Sequence, residues 1–171
     1  MAFRAVLEAM SRPGRTETLT GAAPPAPLSP AAGAVLLVLA DPDTPVHLAG
    51  AHDTEALRSW IAFHTDAPLA GADRAVFAVG TWEALLPVAR FCQGDALYPD
   101  RSATLLVETP ALSPANARLT GPGVDGTAEM RVPDIGVMAR NALQYPMGLD
   151  FIFCAESRIC ALPRSTTVEA L

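Results

Sequence analysis

Arg164-Ser165-Thr166-Thr167 sets one guanidinium beside three hydroxyls, a combination that can grip a phosphate through bidentate and short hydroxyl hydrogen bonds. The same residues also suit a solvated tail after the last strand-like segment, and sequence alone leaves both readings open. Asp41 and Asp43 share one short run, Asp-Pro-Asp-Thr-Pro, and could place two carboxylates on a metal. That run is better suited to a turn closed by side-chain to backbone hydrogen bonds, with a partner contact as a further use. His64 closes a helix-like segment, where an imidazole can meet the last carbonyls or serve a reaction. His47 and His52 are the remaining histidines, and no nucleophile-elbow, zincin or deaminase motif accompanies any of them.

Gly121-Pro122-Gly123-Val124-Asp125-Gly126 spells the dinucleotide-binding glycine pattern, but the physics opposes that role. Pro122 removes a backbone donor, and the following residues alternate as a strand and supply no helix N-terminus for a pyrophosphate. The glycines are therefore expected to make turns. Cys154 and Cys160 flank a hairpin-like segment. They would face one another across a three-residue loop and point to opposite faces across a two-residue one.

All 12 basic residues are arginine. A chain without lysine has no Walker lysine, no amine for a pyridoxal phosphate (PLP) Schiff base and no lysine general base. Three scattered cysteines make neither a disulfide framework nor a cluster site, so no metal, haem or iron–sulfur centre is expected. A net charge of -6 argues against a nucleic-acid surface or an anionic membrane. Half of the 171 residues are hydrophobic, too many for a disordered chain. The longest uncharged apolar stretch, Ala31 to Ala40, is about half of the ~20 residues a membrane span needs. Met1 to Arg4 leads straight into helix-like sequence without an apolar signal core, and the expected compartment is a reducing cytoplasm.

The elements that must position these side chains follow from periodicity. Phe3, Val6, Leu7 and Met10 mark one face of a helix that Pro13 and Gly14 end. Arg15 to Leu19 alternates as an edge strand, and Gly21 to Pro30 reads as an ordered surface loop. Ser29-Pro30 is a helix-start pair. Ala31 to Ala40 is then a helix by its cap and alanines, or a strand by Val35 to Leu39; either form must be buried. Thr44 to Ala49 reads as a strand, and Asp53 caps a helix whose inward face is Leu57, Trp60, Ile61 and His64.

A strand at Ala75 to Val79 precedes a helix from Thr81 to about Phe91, jogged at Pro87. Ala103 to Glu108 is a buried strand. Asn116 to Thr120 and Thr127 to Val132 form a hairpin through Asp125-Gly126. A helix over Asp134 to Gln144 follows, then a second hairpin, Asp150 to Cys154 with Arg158 to Leu162. The expected architecture is α/β: one domain over residues 1–171, a mixed β-sheet with helices on both faces.

Blocks of sequence spread along the chain carry a resemblance. Phe3-Arg4 with Ala9-Met10-Ser11 and Pro13-Gly14 opens the series, followed by Leu39-Ala40-Asp41 with Asp43-Thr44-Pro45-Val46. Phe63-His64-Thr65 with Ala67-Pro68, Ala103-Thr104-Leu105, and Leu119-Thr120-Gly121-Pro122-Gly123 continue it. Pro146 with Gly148 and Asp150, and Pro163-Arg164 with Thr166-Thr167-Val168-Glu169, complete it. Together these resemble the PhnH family, the H subunit of the bacterial carbon–phosphorus lyase system for phosphonate breakdown. The departures are Met147 and Leu149, where leucine and isoleucine are more usual, and Ser165 in place of threonine.

The resemblance implies a fold similar to the large domain of PLP-dependent transferases without PLP, and assembly with the G, I and J subunits. It implies support for joining a phosphonate to the ribose of a nucleoside triphosphate with displacement of the base. A homodimer of the isolated chain, and direct contact with a nucleoside triphosphate or phosphonate, are further expectations. The family offers no established catalytic residue to carry over. The competing expectations are a stand-alone nucleotide- or phosphonate-binding module, or a phosphate-ester enzyme using Asp41, Asp43, His64 or Arg164.

Overall fold

The uncharged run that sequence left between helix and strand is a helix. In the computed structural model, which describes residues 2–171, the first three helices and two strands are α1 (Ala2–Ser11), β1 (Thr16–Thr18), α2 (Pro30–Leu39), β2 (Val46–Leu48) and α3 (Glu55–Thr65). The start of α2 explains its choice: Ser29 accepts the Ala32 N–H through its hydroxyl at 3.1 Å, and Pro30 takes the first helical position. The helix has no polar face and is buried from Ala31 through Leu36.

The chain continues through β3 (Phe77–Thr81), α4 (Trp82–Leu85), β4 (Thr104–Glu108), β5 (Ala117–Thr120), β6 (Ala128–Met130) and α5 (Ile135–Ala142). It ends in β7 (Asp150–Ala155), β8 (Arg158–Leu162) and β9 (Thr167–Ala170). The main sheet has six strands in the order β1-β8-β7-β4-β3-β2. Strands β2, β3, β4 and β7 are parallel, and β8 and β1 add antiparallel at one side. A second, three-stranded antiparallel sheet has the order β6-β5-β9.

Period-two alternation sends the two faces of the main sheet into different cores. Leu106, Ile152, Cys154 and Ile159 meet α1, α2 and α3 through Val6, Leu36, Leu57 and Ile61. Leu105, Phe151, Phe153 and Cys160 face the other way, onto Trp82 and Leu85 of α4, Met138 of α5, and Leu119, Met130 and Val168 of the small sheet. Being covered on both sides, the central strands are apolar almost without interruption.

The small sheet is the main departure from the expected layers, because it shares the second face with α4 and α5. Its strand β9 contains Thr167, so the chain beyond Arg164 is no solvated tail. Five further corrections are local. Phe3 and Leu7 are 60% and 56% exposed, while Val6 and Ala9 are the buried positions of α1. His64 is exposed too, and Thr65 takes the inward place, its hydroxyl donating to the Ile61 carbonyl at 2.8 Å. The cap of α3 is Thr54, which accepts the Leu57 N–H; Asp53 instead pairs with Arg58.

The helix expected to reach Phe91 stops at Leu85, since Pro87 lacks an N–H and bars its predecessor from helical geometry. The strand expected at Ala75 to Val79 begins later, at Phe77. Other expectations hold: Gly14 turns with φ +87, Thr81 and Asp134 cap their helices, and β5 and β6 form the hairpin. The β7–β8 connection has two residues, so Cys154 and Cys160 lie on opposite faces as free thiols.

Candidate functional site

The parallel strands give the main sheet two chemically different ends. Ligands of open α/β sheets settle outside the carboxyl ends of the strands. The side chains chosen from sequence collect at the other end. Asp41 and Asp43 precede β2, and Arg164 binds Asp150, the first residue of β7. His64 lies in the last turn of α3, the helix that returns the chain toward the start of β3. Strands β3 and β4 separate β2 from β7, roughly 14 Å at about 4.8 Å per strand step. The structure therefore does not bring the aspartates and Arg164 together.

Each of these residues has a local occupation. The Asp43 N–H donates to Asp41 Oδ1 at 2.9 Å, and the Thr44 hydroxyl donates to the same carboxylate at 3.0 Å, a side-chain-closed turn. His64 packs between Trp60 and Phe63, each ring centroid 4.9 Å away, on the outer surface of α3. Arg164 donates from Nη2 to Asp150 Oδ2 at 2.5 Å and from Nε to Oδ1 at 3.2 Å, and its Nη1 donates to the Pro99 carbonyl. All three of its nitrogens are thus engaged within the chain. Thr166 is buried, and Thr167 pairs with Thr120 in the small sheet. No group of three metal-ligating side chains occurs among the described residues.

The carboxyl ends of β3 and β4 open into a cleft of about 380 Å³ between the main and small sheets. Thr81, Glu83, Glu108, Thr109 and Arg131 supply its polar lining, over Trp82 and Phe153. Asn116 stiffens the rim, its amide exchanging two 2.9 Å hydrogen bonds with the Val132 backbone. Glu108 accepts the Ser29 N–H at 2.8 Å, so a carboxylate sits at the positive end of α2. Burial pushes the Glu108 carboxyl above the ordinary glutamate value, and the Ser29 contact offsets part of that. Its register partner Cys154 stays a thiol, pushed well up by burial and by the Glu108 charge. A carboxyl of this kind can give or take a proton nearer neutrality than an exposed one.

A second cavity, of about 300 Å³, lies at the outer edge of β2, which Pro68–Ala70 covers through a bridge between Val46 and Leu69. Its polar lining is His47, Asp53, Arg58 and Arg74, with the Ala70 and Gly71 backbone. Nothing in the spacing of these residues marks them as a set, which is why sequence reasoning passed over them. Glu108 had one visible signal, a lone carboxylate closing an otherwise apolar strand.

Fold and clefts together define a mixed α/β protein with polar recesses at one sheet edge and at the strand ends, and no assembled nucleophile–base pair among the described residues. Comparison with known proteins carries the assignment further. The family model for the bacterial phosphonate metabolism protein PhnH matches residues 1–169. The alpha-D-ribose 1-methylphosphonate 5-triphosphate synthase subunit PhnH of Rhizobium meliloti (strain 1021) is 39% identical over 176 residues, spanning 98% of this chain and 88% of that protein. The chain belongs to the PhnH family.

Proposed function

We propose that this chain is the H subunit of an alpha-D-ribose 1-methylphosphonate 5-triphosphate synthase in the carbon–phosphorus lyase route of phosphonate breakdown. The observation that carries this reading is the length of the match, which runs through every element from α1 to β9. The shared blocks include contacts that hold the fold. Asp150 and Arg164 belong to separate blocks and meet as an ion pair. The Gly148 N–H, in the same block as Asp150, donates to the Gln93 carbonyl at 2.9 Å. Such long-range ties suit a subunit whose shape is its contribution.

In this reading the chain works in the cytoplasm with the G, I and J subunits and forms a homodimer when isolated. No helix of the described residues is long and apolar enough to cross a membrane, which accords with that setting. The fold is a relative of the PLP-transferase large domain that carries no cofactor of its own. A sequence without lysine does not fit PLP, because it has no side-chain amine to hold the aldehyde.

Co-expression tests the proposal. The tagged chain should bring down the G, I and J subunits of its own organism, and the assembly should release base from a nucleoside triphosphate when methylphosphonate is supplied. A fully active assembly formed without this chain would overturn the assignment.

A further inference from the structure

We propose that the cavity at the outer edge of β2, beside the Pro68–Ala70 segment that pairs with it, binds a tetrahedral oxyanion, a phosphate or phosphonate group, between Arg58, Arg74 and His47. Two guanidiniums and an imidazole line it against one carboxylate, Asp53. Asp53 occupies only part of Arg58, accepting from Nε at 2.7 Å and from Nη2 at 2.8 Å. The Nη1 fork of Arg58 is left over, and Arg74 has no ion pair or side-chain hydrogen bond among the described residues. In a lysine-free chain, arginines with unspent donors are the groups that can grip such an anion.

His47 is held for the same purpose. Its Nδ1 lies 3.0 Å from the Ala70 carbonyl, which can only accept, so Nδ1 carries a proton; Nε2 is left to accept from the P–OH of a monoprotonated phosphate or, in the imidazolium form, to donate to its oxygen. An edge contact with Phe91, centroids 5.8 Å apart, fixes the ring plane. Gly71 forms the lip, where a Cβ would strike Asp73 Oδ1 at 2.8 Å, so a second carboxylate stands at the rim beside the lining residues. At about 300 Å³ the cavity is at the small end of ligand pockets, room for an oxyanion and a short substituent. A nucleotide could seat its terminal phosphate there, with base and ribose outside. The inference stands on this geometry and does not depend on the subunit assignment.

Calorimetric titration of the full chain with inorganic phosphate, methylphosphonate and ATP is the test. Saturable binding is expected, weakened about 10- to 100-fold by Arg74→Gln, the loss of one charge-assisted contact. Arg118→Gln makes the same charge change at an exposed position of β5 and should leave affinity unchanged, and both variants should melt as the parent does. ATP displacing methylphosphonate would identify a nucleotide phosphate as the occupant, and binding of methylphosphonate that ATP leaves untouched would identify the free phosphonate. No saturable binding of any probe overturns the site. So does Arg74→Gln binding as tightly as the parent, or Arg118→Gln losing as much.

Discussion

Arg164 shows how far one side chain's partners decide its use. Its side chain is 16% exposed and that of Asp150 13%, so the pair is largely withdrawn from water. Removing one member leaves the other charged and unpaired, which costs more than the bond itself contributes. Arg164→Ala should destabilise the fold by about 3 kcal/mol, lowering Tm by roughly 6–12 °C in a chain of this size. Adding Asp150→Asn should recover part of the loss, because the orphaned charge goes too. Thermal melts of the parent and these two variants check this, and an unchanged Tm would return Arg164 to the ligand-binding role suggested by sequence.

Glu108 is the second residue whose environment sets its behaviour. Its folded-state pKa lies above the ordinary glutamate value of 4.5 through burial, so folding favours the protonated form. The stability this contributes is full below that ordinary value and is lost as pH rises through the raised one. His52 works in the opposite sense: burial lowers its pKa below 6.5, and stability is lost as acid forces it to charge. The difference between parent and Glu108→Gln therefore isolates the carboxyl. Urea midpoints from about pH 4 to about pH 7 should show the variant gaining on the parent as pH rises. A constant difference would mean that Glu108 titrates alike in both states.

At the scale of elements, turns and caps were the most legible features, and the β5–β6 hairpin is the clearest. Gly126 has φ +70, and a Cβ there meets nothing within 4 Å, so only backbone geometry opposes a larger residue. Gly126→Val should cost on the order of 1–3 kcal/mol by forcing a β-branched side chain into the left-handed region. Gly126→Asn should cost less, since asparagine tolerates that region better. Urea midpoints of the two variants give the comparison, and equal values would point to sterics instead of φ. Less legible was the extent of α4. Thr81 announced its start, but only the break at Pro87 decided that four residues, Trp82–Leu85, would be helical.

For the whole molecule, the main sheet is common to both cores. Cys154 packs into the core beneath α1, α2 and α3, and Cys160 into the core shared with the small sheet. Neither core can dissolve without exposing one face of the strands that the other needs. Thiol labelling across a urea series should therefore reveal Cys154 and Cys160 at one midpoint, the mark of a single cooperative transition. Two midpoints would show that the small sheet unfolds independently. In the native state both thiols should label slowly, because burial pushes Cys160 up to about 11 and raises Cys154 as well.

What the sequence by itself determined is what residues a few positions apart can settle. Ser29 capping α2, the Asp41 turn, Asp134 at the start of α5 and the positive φ of Gly126 all rest on hydrogen bonds or backbone sterics within a turn of chain. The family blocks were legible too, because they are strings of such residues. Only the tertiary structure decided that Thr167–Ala170 joins a second sheet, and that Arg164 is spent while Arg74 has no side-chain partner among the described residues. Each of those outcomes depends on a partner far along the chain: Asp150 and Pro99 for Arg164, and Thr120 for Thr167. An arginine's spacing says nothing about which carboxylate folding will bring to it, and its chemistry follows from that carboxylate.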